Sequence, residues 1–320
     1  MNSSVNDAAR ALFSAQIAPD SRVLVTGASG WFGRTAVDLL EGTSARLLCI
    51  ASSARIMSVN GREFPLGIWN LEEIRAFAPS IVIDCAFLTK DRLAANSSRT
   101  TDEYVRVNRL LTSQMLLAAE LPSVQSVLTI SSGAAVYPQD ALQTPFEENT
   151  YGALKREAEQ SLMETALRRG IHAVAARAWA VSGGHVQQPR TFALSDMVLQ
   201  ARDGNVIEIK ATSEVWRRYT AVEDLLAVAM ATVHRRSGIV ESGGPLVEMS
   251  DLAVAVRDAV RPSAEIRRPP VDPREANRYH NDGIQWRIAC SEFDYVPIDL
   301  SSQIIETAQG LRAASHGSRL

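Results

Sequence analysis

Cysteine is scarce: Cys49, Cys85 and Cys290 are the only three in 320 residues. So sparse and odd a count implies a reducing compartment, and a cytoplasmic protein is expected. Two of the three lie in strand-like runs and read as small buried hydrophobes. Long apolar runs are missing as well. None nears the ~20 residues that span a bilayer, so no membrane partner is expected. Residues 1–19 include Asn2, Ser3, Ser4, Asp7 and Arg10 but no basic start followed by an apolar core. No signal peptide is read there, and a short lead-in helix over 7–16 is expected instead. Charge of one sign is lacking too: a net charge of -3 and a pI near 6.0 give no electrostatic footprint for nucleic acid. The five histidines, His172, His185, His234, His280 and His316, lack metal-ligand spacing, so no metal is expected. Internal repeats, low-complexity tracts, a phosphate-loop motif and a Cys/His catalytic arrangement are all absent.

What is present is an ordinary globular composition, 46% hydrophobic and 22% charged, in a chain long enough for one large or two modest domains. Its first half alternates. Strand-like runs at 23–26, 45–51, 81–86, 127–131 and 172–176 are separated by helical patterns at 31–41, 71–77, 103–120 and 151–168. Strands alternating with helices predict right-handed crossovers and a parallel sheet covered on both faces. After Arg177 the pattern loosens. Helices are expected at 191–201, 222–233 and 302–311 and a strand at 205–209. Residues 182–190 and 267–277 read as loops, the second because it holds three prolines and five charges.

The strongest local signal is the run Val-Leu-Val-Thr-Gly-Ala-Ser-Gly-Trp-Phe-Gly at 23–33. An apolar strand stops at Gly27, and Gly30 and Gly33 lead into a helix. The first glycine makes a tight turn, the second lets backbone touch a diphosphate, and the third lets helix and strand pack closely. The helix N-terminus then offers its amides to the anion. A second signal is Tyr151 and Lys155, one helical turn apart. A free tyrosine titrates near pH ~10, and a neighbouring ammonium favours its phenolate. The pair forms a plausible general acid–base unit. On an ordinary exposed helix the same spacing arises by chance, and it is the glycine turn upstream that gives it weight.

Taken together, these stretches resemble the extended short-chain dehydrogenase/reductases, the NAD(P)-dependent epimerase/dehydratase family that modifies nucleotide sugars. The matching pieces are the 26–33 turn, Asn108, Leu-Thr-Ile-Ser-Ser-Gly-Ala-Ala-Val-Tyr at 128–137, the run from Tyr151 to Glu159, Ala176-Arg177, and Arg-Arg-Tyr-Thr-Ala-Val-Glu-Asp-Leu at 217–225. The resemblance implies a Rossmann-type doubly wound parallel sheet with a smaller C-terminal substrate lobe. The nucleotide-binding domain is expected over 1–178 with 218–240, the lobe over 179–217 with 241–312, and a flexible tail over 313–320. Tyr151 would exchange a proton with the substrate, and Lys155 would hold the nicotinamide ribose and tune Tyr151. Cofactor contacts are implied for Gly27, Ser29, Gly30, Trp31, Phe32, Gly33, Ala86, Phe87 and Asn108. The family's catalytic hydroxyl falls on Gly133 here, so Ser132, or else Ser131, is expected to supply it; simple turn chemistry accounts for both serines equally.

The second strand ends without the acid that bonds a ribose 2′-hydroxyl in NAD-binding relatives. Ser52, Ser53 and Arg55, with Arg34, could bind a 2′-phosphate instead, which favours NADP(H) over NAD(H). Each arginine alone reads equally as a solvated surface residue. Arg217 is expected at a substrate diphosphate. Trp179 and His185 are the remaining substrate-side candidates, with Trp179 just as well placed for packing. The family's Arg-x-x-Asn is Arg177-Ala-Trp-Ala here, without the Asn. The expected activity is reduction of a nucleotide-linked 4-keto sugar. A 4-epimerase is the runner-up, and a catalytically weak NADP-binding sensor or scaffold is the non-enzyme alternative. A homodimer through the helices at 103–120 and 151–168 is expected. Leu111, Met115 and Leu162 would permit it, or would face the sheet.

Overall fold

The structure is a computed structural model and describes residues 6–89, 100–138 and 143–317. It opens with α1 (Asp7–Ser14) and the buried strand β1 (Arg22–Thr26), then α2 (Trp31–Leu39) and β2 (Arg46–Ile50). A hairpin follows, β3 (Arg55–Val59) and β4 (Arg62–Gly67), before α3 (Leu71–Phe77) and β5 (Ile81–Asp84). Asn60 and Gly61 turn that hairpin with φ of 51° and 80°. Asn-Gly is the favoured pair for such a turn because both tolerate positive φ. The first half ends with α4 (Thr101–Ala119), β6 (Ser126–Ser132), α5 (Thr150–Arg169) and β7 (His172–Ala178).

The second half runs β8 (Ala180–Ser182), α6 (Ala193–Asp203), β9 (Val206–Glu208), β10 (Ser213–Ala221), α7 (Val222–Val233) and β11 (Gly238–Glu241). It closes with β12 (Leu246–Glu248), α8 (Met249–Val260), β13 (Glu265–Arg267), β14 (Asp272–Arg278), α9 (Ile284–Ser291) and α10 (Leu300–Gly317). The end of the expected tail, 318–320, lies outside the described residues. No helix among the described residues is long and apolar enough to cross a membrane.

Two compact units divide the chain. The first is Ala11–Arg177 with Ala229–Val240; the second takes Ala178–Val228 and the described parts of Met1–Arg10 and Glu241–Leu320. Residues 218–228, expected with the nucleotide-binding sheet, group with the second unit. The large sheet has eight strands in the order β11-β7-β6-β5-β1-β2-β4-β3. The β1–β2, β1–β5 and β5–β6 pairs are parallel, and the β3–β4 hairpin at the edge is antiparallel. The chain order reverses on either side of β1, so the strand ends of β1 and β5 form the crevice where such sheets take ligands. Leu24, Val82, Met115 and Leu162 are among the side chains of one core between this sheet and α3, α4 and α5. Met115 and Leu162 therefore face the sheet; the apolar side chains left outward are Leu110, Leu117 and Leu167.

The smaller unit has a sheet in the order β12-β10-β14, with β8 also on β10, and a β9–β13 pair. Here one expectation is corrected. Residues 267–277 are not one loop: 272–278 form β14, paired in parallel with β10 through Glu214–Ala276, Val215–Asn277 and Trp216–Arg278. The strand is held by backbone hydrogen bonds while residues 274–278 stay exposed. It therefore carries no apolar alternation for a pattern reading to find.

Candidate active site

The glycine turn is built as its spacing predicts. Gly27 has φ of +61°, and a Cβ there would sit 2.5 Å from the backbone of Cys85. A Cβ on Gly33 would sit 2.3 Å from the Gly27 carbonyl oxygen. Gly30 is the N-cap of α2 and brings no side-chain cap. The N-cap residue itself thus supplies no capping oxygen to the first turn of α2, at the strand end where a diphosphate would need donors. Ser29 and Trp31 are nearly buried beside it, and Phe32 lies 6.3 Å from the Trp31 ring. These residues fit a dinucleotide.

Arg34 and Arg55 converge beside the end of β2. Arg34 Nη1 donates to the Ser58 carbonyl at 2.9 Å, and Arg55 Nη1 donates to Ser53 Oγ at 3.0 Å. Burial, then the Arg55 charge, lowers the proton affinity of Arg34, which marks two cations close together. Ser52 and Ser53 are exposed at this point. The cluster has the donors and charge for an anion.

Behind the turn lies a polar row across three strands. Register pairs Thr26 of β1 with Asp84 of β5, and Asp84 with Thr129 of β6. The Thr26 hydroxyl donates to one Asp84 oxygen at 2.5 Å and the Thr129 hydroxyl to the other at 2.8 Å. Lys155 is buried, its Nζ donating to the Ile130 carbonyl at 2.7 Å and standing 3.9 Å from the centre of the Phe87 ring. The same ring meets Tyr151 edge-on at 5.4 Å. Burial pulls Lys155 down to about 8, opposed first by Asp84, then by Cys85 and Glu159. Ala86 donates its amide to Asp84. Asn108, expected at the cofactor, uses its side chain on the Leu88 backbone (2.8 and 3.1 Å) and on the Tyr104 carbonyl. It shapes the segment after β5.

Why Tyr151 stands here is written in its neighbours. Asn149 caps α5 by accepting from the Gly152 amide, and its Nδ2 donates to the Ala134 carbonyl at 3.2 Å. A Cβ on Gly152 would lie 2.0 Å from that same carbonyl. The Asn-Thr-Tyr-Gly run thus locks the start of α5 onto the 133–135 turn that follows β6. The two candidate serines separate clearly. Ser131 Oγ donates to Glu159 at 2.5 Å, and Arg177 grips the same carboxylate with bonds of 2.8 and 2.7 Å. Ser132 is buried, and its oxygen accepts from the Ala134 amide at 3.2 Å. The sequence assigns no role to Asp84 or Glu159. Their signals were an acid ending an apolar strand and an acid one helical turn beyond Lys155.

In the second unit, Trp179 and Arg217 meet through Tyr279. The Trp179 and Tyr279 rings are 4.9 Å apart, and the Arg217 guanidinium lies 5.5 Å from the Tyr279 ring. Arg217 also donates to the Trp216 and Asn277 carbonyls. Nothing in the sequence singled out Tyr279. His185 is half-buried in the loop after β8 and its carbonyl accepts from Gln187. Among the described residues no group of three or more His, Cys, Asp or Glu could hold a metal ion.

Comparison with known proteins bears on the fold and the family. Solved structures of similar fold include an epimerase from Methanothermobacter thermautotrophicus (18% identity, 97% of each chain covered, TM-score 0.73). A UDP-N-acetylglucosamine 4-epimerase from Methanobrevibacter ruminantium, in complex with UDP-N-acetylmuramic acid, matches at 17% identity over 93% of this chain and 100% of that one, TM-score 0.72. The UDP-glucose 4-epimerase of Thermus thermophilus, complexed with NAD, matches at 20% identity over 92% and 99%, TM-score 0.71. Among curated proteins, none matches the sequence. At these identities the structures speak for the fold alone. The family model that matches residues 23–242, more than half the chain, is that of the NAD dependent epimerase/dehydratase family, and to this enzyme family the chain belongs.

Proposed function

We propose that the protein is a nucleotide-sugar 4-epimerase, with Tyr151 as proton relay. The observation that carries this reading is the grouping of half-buried Tyr151 and buried Lys155 around the Phe87 ring, just after the end of β5. The epimerases among the structures of similar fold favour it over net reduction. A bound nicotinamide would supply hydride exchange with the sugar carbon. Tyr151 takes the proton of the sugar hydroxyl and later returns it. Lys155, as an ammonium ion, favours the tyrosine phenolate. Ser132 hydrogen-bonds the reacting oxygen, since Ser131 is committed to Glu159. The Gly27–Gly33 turn holds the diphosphate of the cofactor, while Arg217 and the Trp179–Tyr279 pair hold the diphosphate and base or sugar of the substrate.

One observation favours a second reading, NADPH-dependent reduction of a 4-keto sugar. Arg34, Arg55, Ser52 and Ser53 form a cationic cluster where NAD-binding relatives carry an acid, so NADP(H) is the proposed cofactor. Two parallel incubations separate the readings. UDP-glucose and UDP-N-acetylglucosamine are supplied with NAD or NADP, a nucleotide-linked 4-keto sugar is supplied with NADPH, and products are read by proton NMR alongside absorbance of reduced cofactor. A new 4-epimer with no net change in reduced cofactor supports the epimerase. If no sugar epimerises, while NADPH is consumed by a 4-keto sugar, the reductase takes its place. A homodimer through α4 and α5 is part of the proposal, with Leu110, Leu117 and Leu167 as its apolar contacts; a monomer by light scattering removes it.

A further inference from the structure

Asp84 is held by three donors, the Thr26 and Thr129 hydroxyls and the Ala86 amide. Burial raises the Asp84 carboxyl above its ordinary value, and these donors, with the charge of Lys155, oppose the rise and favour the carboxylate. The carboxylate faces a cavity of about 10 Å³, room for one water, which Phe87, Ser131, Lys155 and Glu159 also line. The charged and titratable groups around Lys155 can be counted. Asp84 and Cys85 come from the end of β5, Tyr151 and Glu159 from α5, and Arg177 of β7 is bound to Glu159. Burial keeps the Cys85 thiol protonated. Glu159 has its own counter-ion in Arg177. Among the described residues, Asp84 and Lys155 are left as the two charges of this cavity without an ion-pair partner of their own. The Ile130 carbonyl and the Phe87 ring steady the Lys155 ammonium, but neither carries a full negative charge.

We propose that Asp84 is a positioning residue that holds Lys155 as an ammonium ion beside Tyr151, across the cavity or through one water in it. The proposal rests on Tyr151 and Lys155 being the proton-handling pair. A lysine so buried sheds its proton unless an anion compensates, and a neutral Lys155 could not favour the tyrosine phenolate. Asp84 is then what keeps the pair working near neutral pH.

The chain is well suited to a direct test, because it has only three lysines, Lys90, Lys155 and Lys210. Lysine labelled with carbon-13 at Cε gives three NMR signals, and Lys155→Met assigns the one that matters. The cofactor-free protein is titrated as wild type, Asp84→Asn and Thr129→Val, with circular dichroism as the folding check. Asp84→Asn is expected to lower the Lys155 midpoint by about one pH unit or more. Thr129→Val, which removes one donor from Asp84, is expected to lower it less, and it carries the test if Asp84→Asn does not fold. A Lys155 midpoint that rises, or stays within a few tenths of wild type in the folded variants, overturns the proposal. The pH–rate profile gives a second readout, in which the window of high kcat/KM narrows in Asp84→Asn. A lowered midpoint in a protein that turns over no nucleotide sugar leaves the Asp84–Lys155 coupling standing and removes the proposed function. Turnover with an unmoved midpoint does the reverse.

Discussion

Glu159 and Glu306 are both acids on long helices, α5 in the first unit and α10 in the second, and both lose water to burial. Glu159 is bonded on both oxygens by Arg177 and on one by Ser131. Glu306 has no such cation among the described residues: it faces Asp224 and Asp7, and one of its oxygens is buried with no hydrogen-bond partner among them. Asp224 beside it accepts from Asn6, from the Tyr295 hydroxyl and from the Ile298 amide, again with no lysine or arginine among the described residues. Burial consequently pushes Asp224 up to about 6 and Glu306 up to about 8. Around Glu159 the first unit meets a buried acid with an opposite charge; around Asp224 and Glu306 the second lets its acids drift toward neutrality, although its Glu248 is paired with Arg268. The Glu159 pair lies one helical turn beyond Lys155, and the neutral acids tie Asn6, Tyr295 and Ile298 together.

The contrast can be broken at several points. The largest effect is expected at Tyr151. Tyr151→Phe should cut kcat by about 10²–10⁴-fold while cofactor affinity, measured by calorimetry, stays close to wild type. Turnover that survives the change would move the proton relay elsewhere in the first unit. Next comes Glu159→Gln, which strips Arg177 (16% exposed) of its counter-ion. Breaking a buried pair this way costs about 3 kcal/mol, read as a lower urea midpoint at pH 7. A loss no larger than that of an exposed substitution would mean the first unit does not depend on matched charge. A smaller change is expected from Arg55→Ala. Losing one charge-assisted contact should weaken NADP(H) binding about tenfold and leave NAD(H) unchanged. Equal weakening of both would show that Arg55 has no part in telling the two cofactors apart.

The same contrast explains what could be read from the sequence. The glycine turn, Tyr151, Lys155 and the alternating strands were legible because backbone sterics and helical spacing fix them locally. Gly27 and Gly33 can be nothing larger, given the Cys85 and Gly27 atoms their Cβ would strike. The choice between Ser131 and Ser132 was not legible, since it depends on which hydroxyl reaches Glu159, a contact across 28 positions. Asp84 escaped notice for a similar reason: its partners Thr26 and Thr129 come from two other strands. The Asn60-Gly61 turn is a local hairpin signal as well, flanked by strands whose Met57, Val59, Phe64 and Leu66 alternate inward. In the second unit, β14 and Tyr279 carry no periodic signal at all, because β14 is an exposed strand joined by backbone bonds. Long-range polar contacts and exposed edges are where pattern reading stops.

The smallest expected effect tests the second unit itself. Glu306 has an ordinary value of 4.5 and is raised to about 8 in the fold. Below pH ~4.5 folded and unfolded chains both keep the proton, so the group has no effect on their balance. Between pH ~4.5 and 8 the unfolded chain has released the proton and the folded chain still holds it. Folding then binds a proton, and stability falls as pH rises. Above about 8 the folded chain must carry a buried charge beside Asp224 and Asp7, and the full penalty is present. Glu306→Gln keeps the shape and removes the proton. Its Tm should match wild type near pH 4.5, exceed it increasingly up to pH 8, and stay above it thereafter. Asp224 contributes a similar slope at lower pH, but it does so in both proteins and cancels in the difference, to the extent that its own titration is unchanged. The sign is opposite to that of Glu159→Gln, where the same chemical change destabilises. A Glu306→Gln variant that follows wild type at every pH would mean that the second unit neutralises its acids as the first does, by charges that reach them in solution.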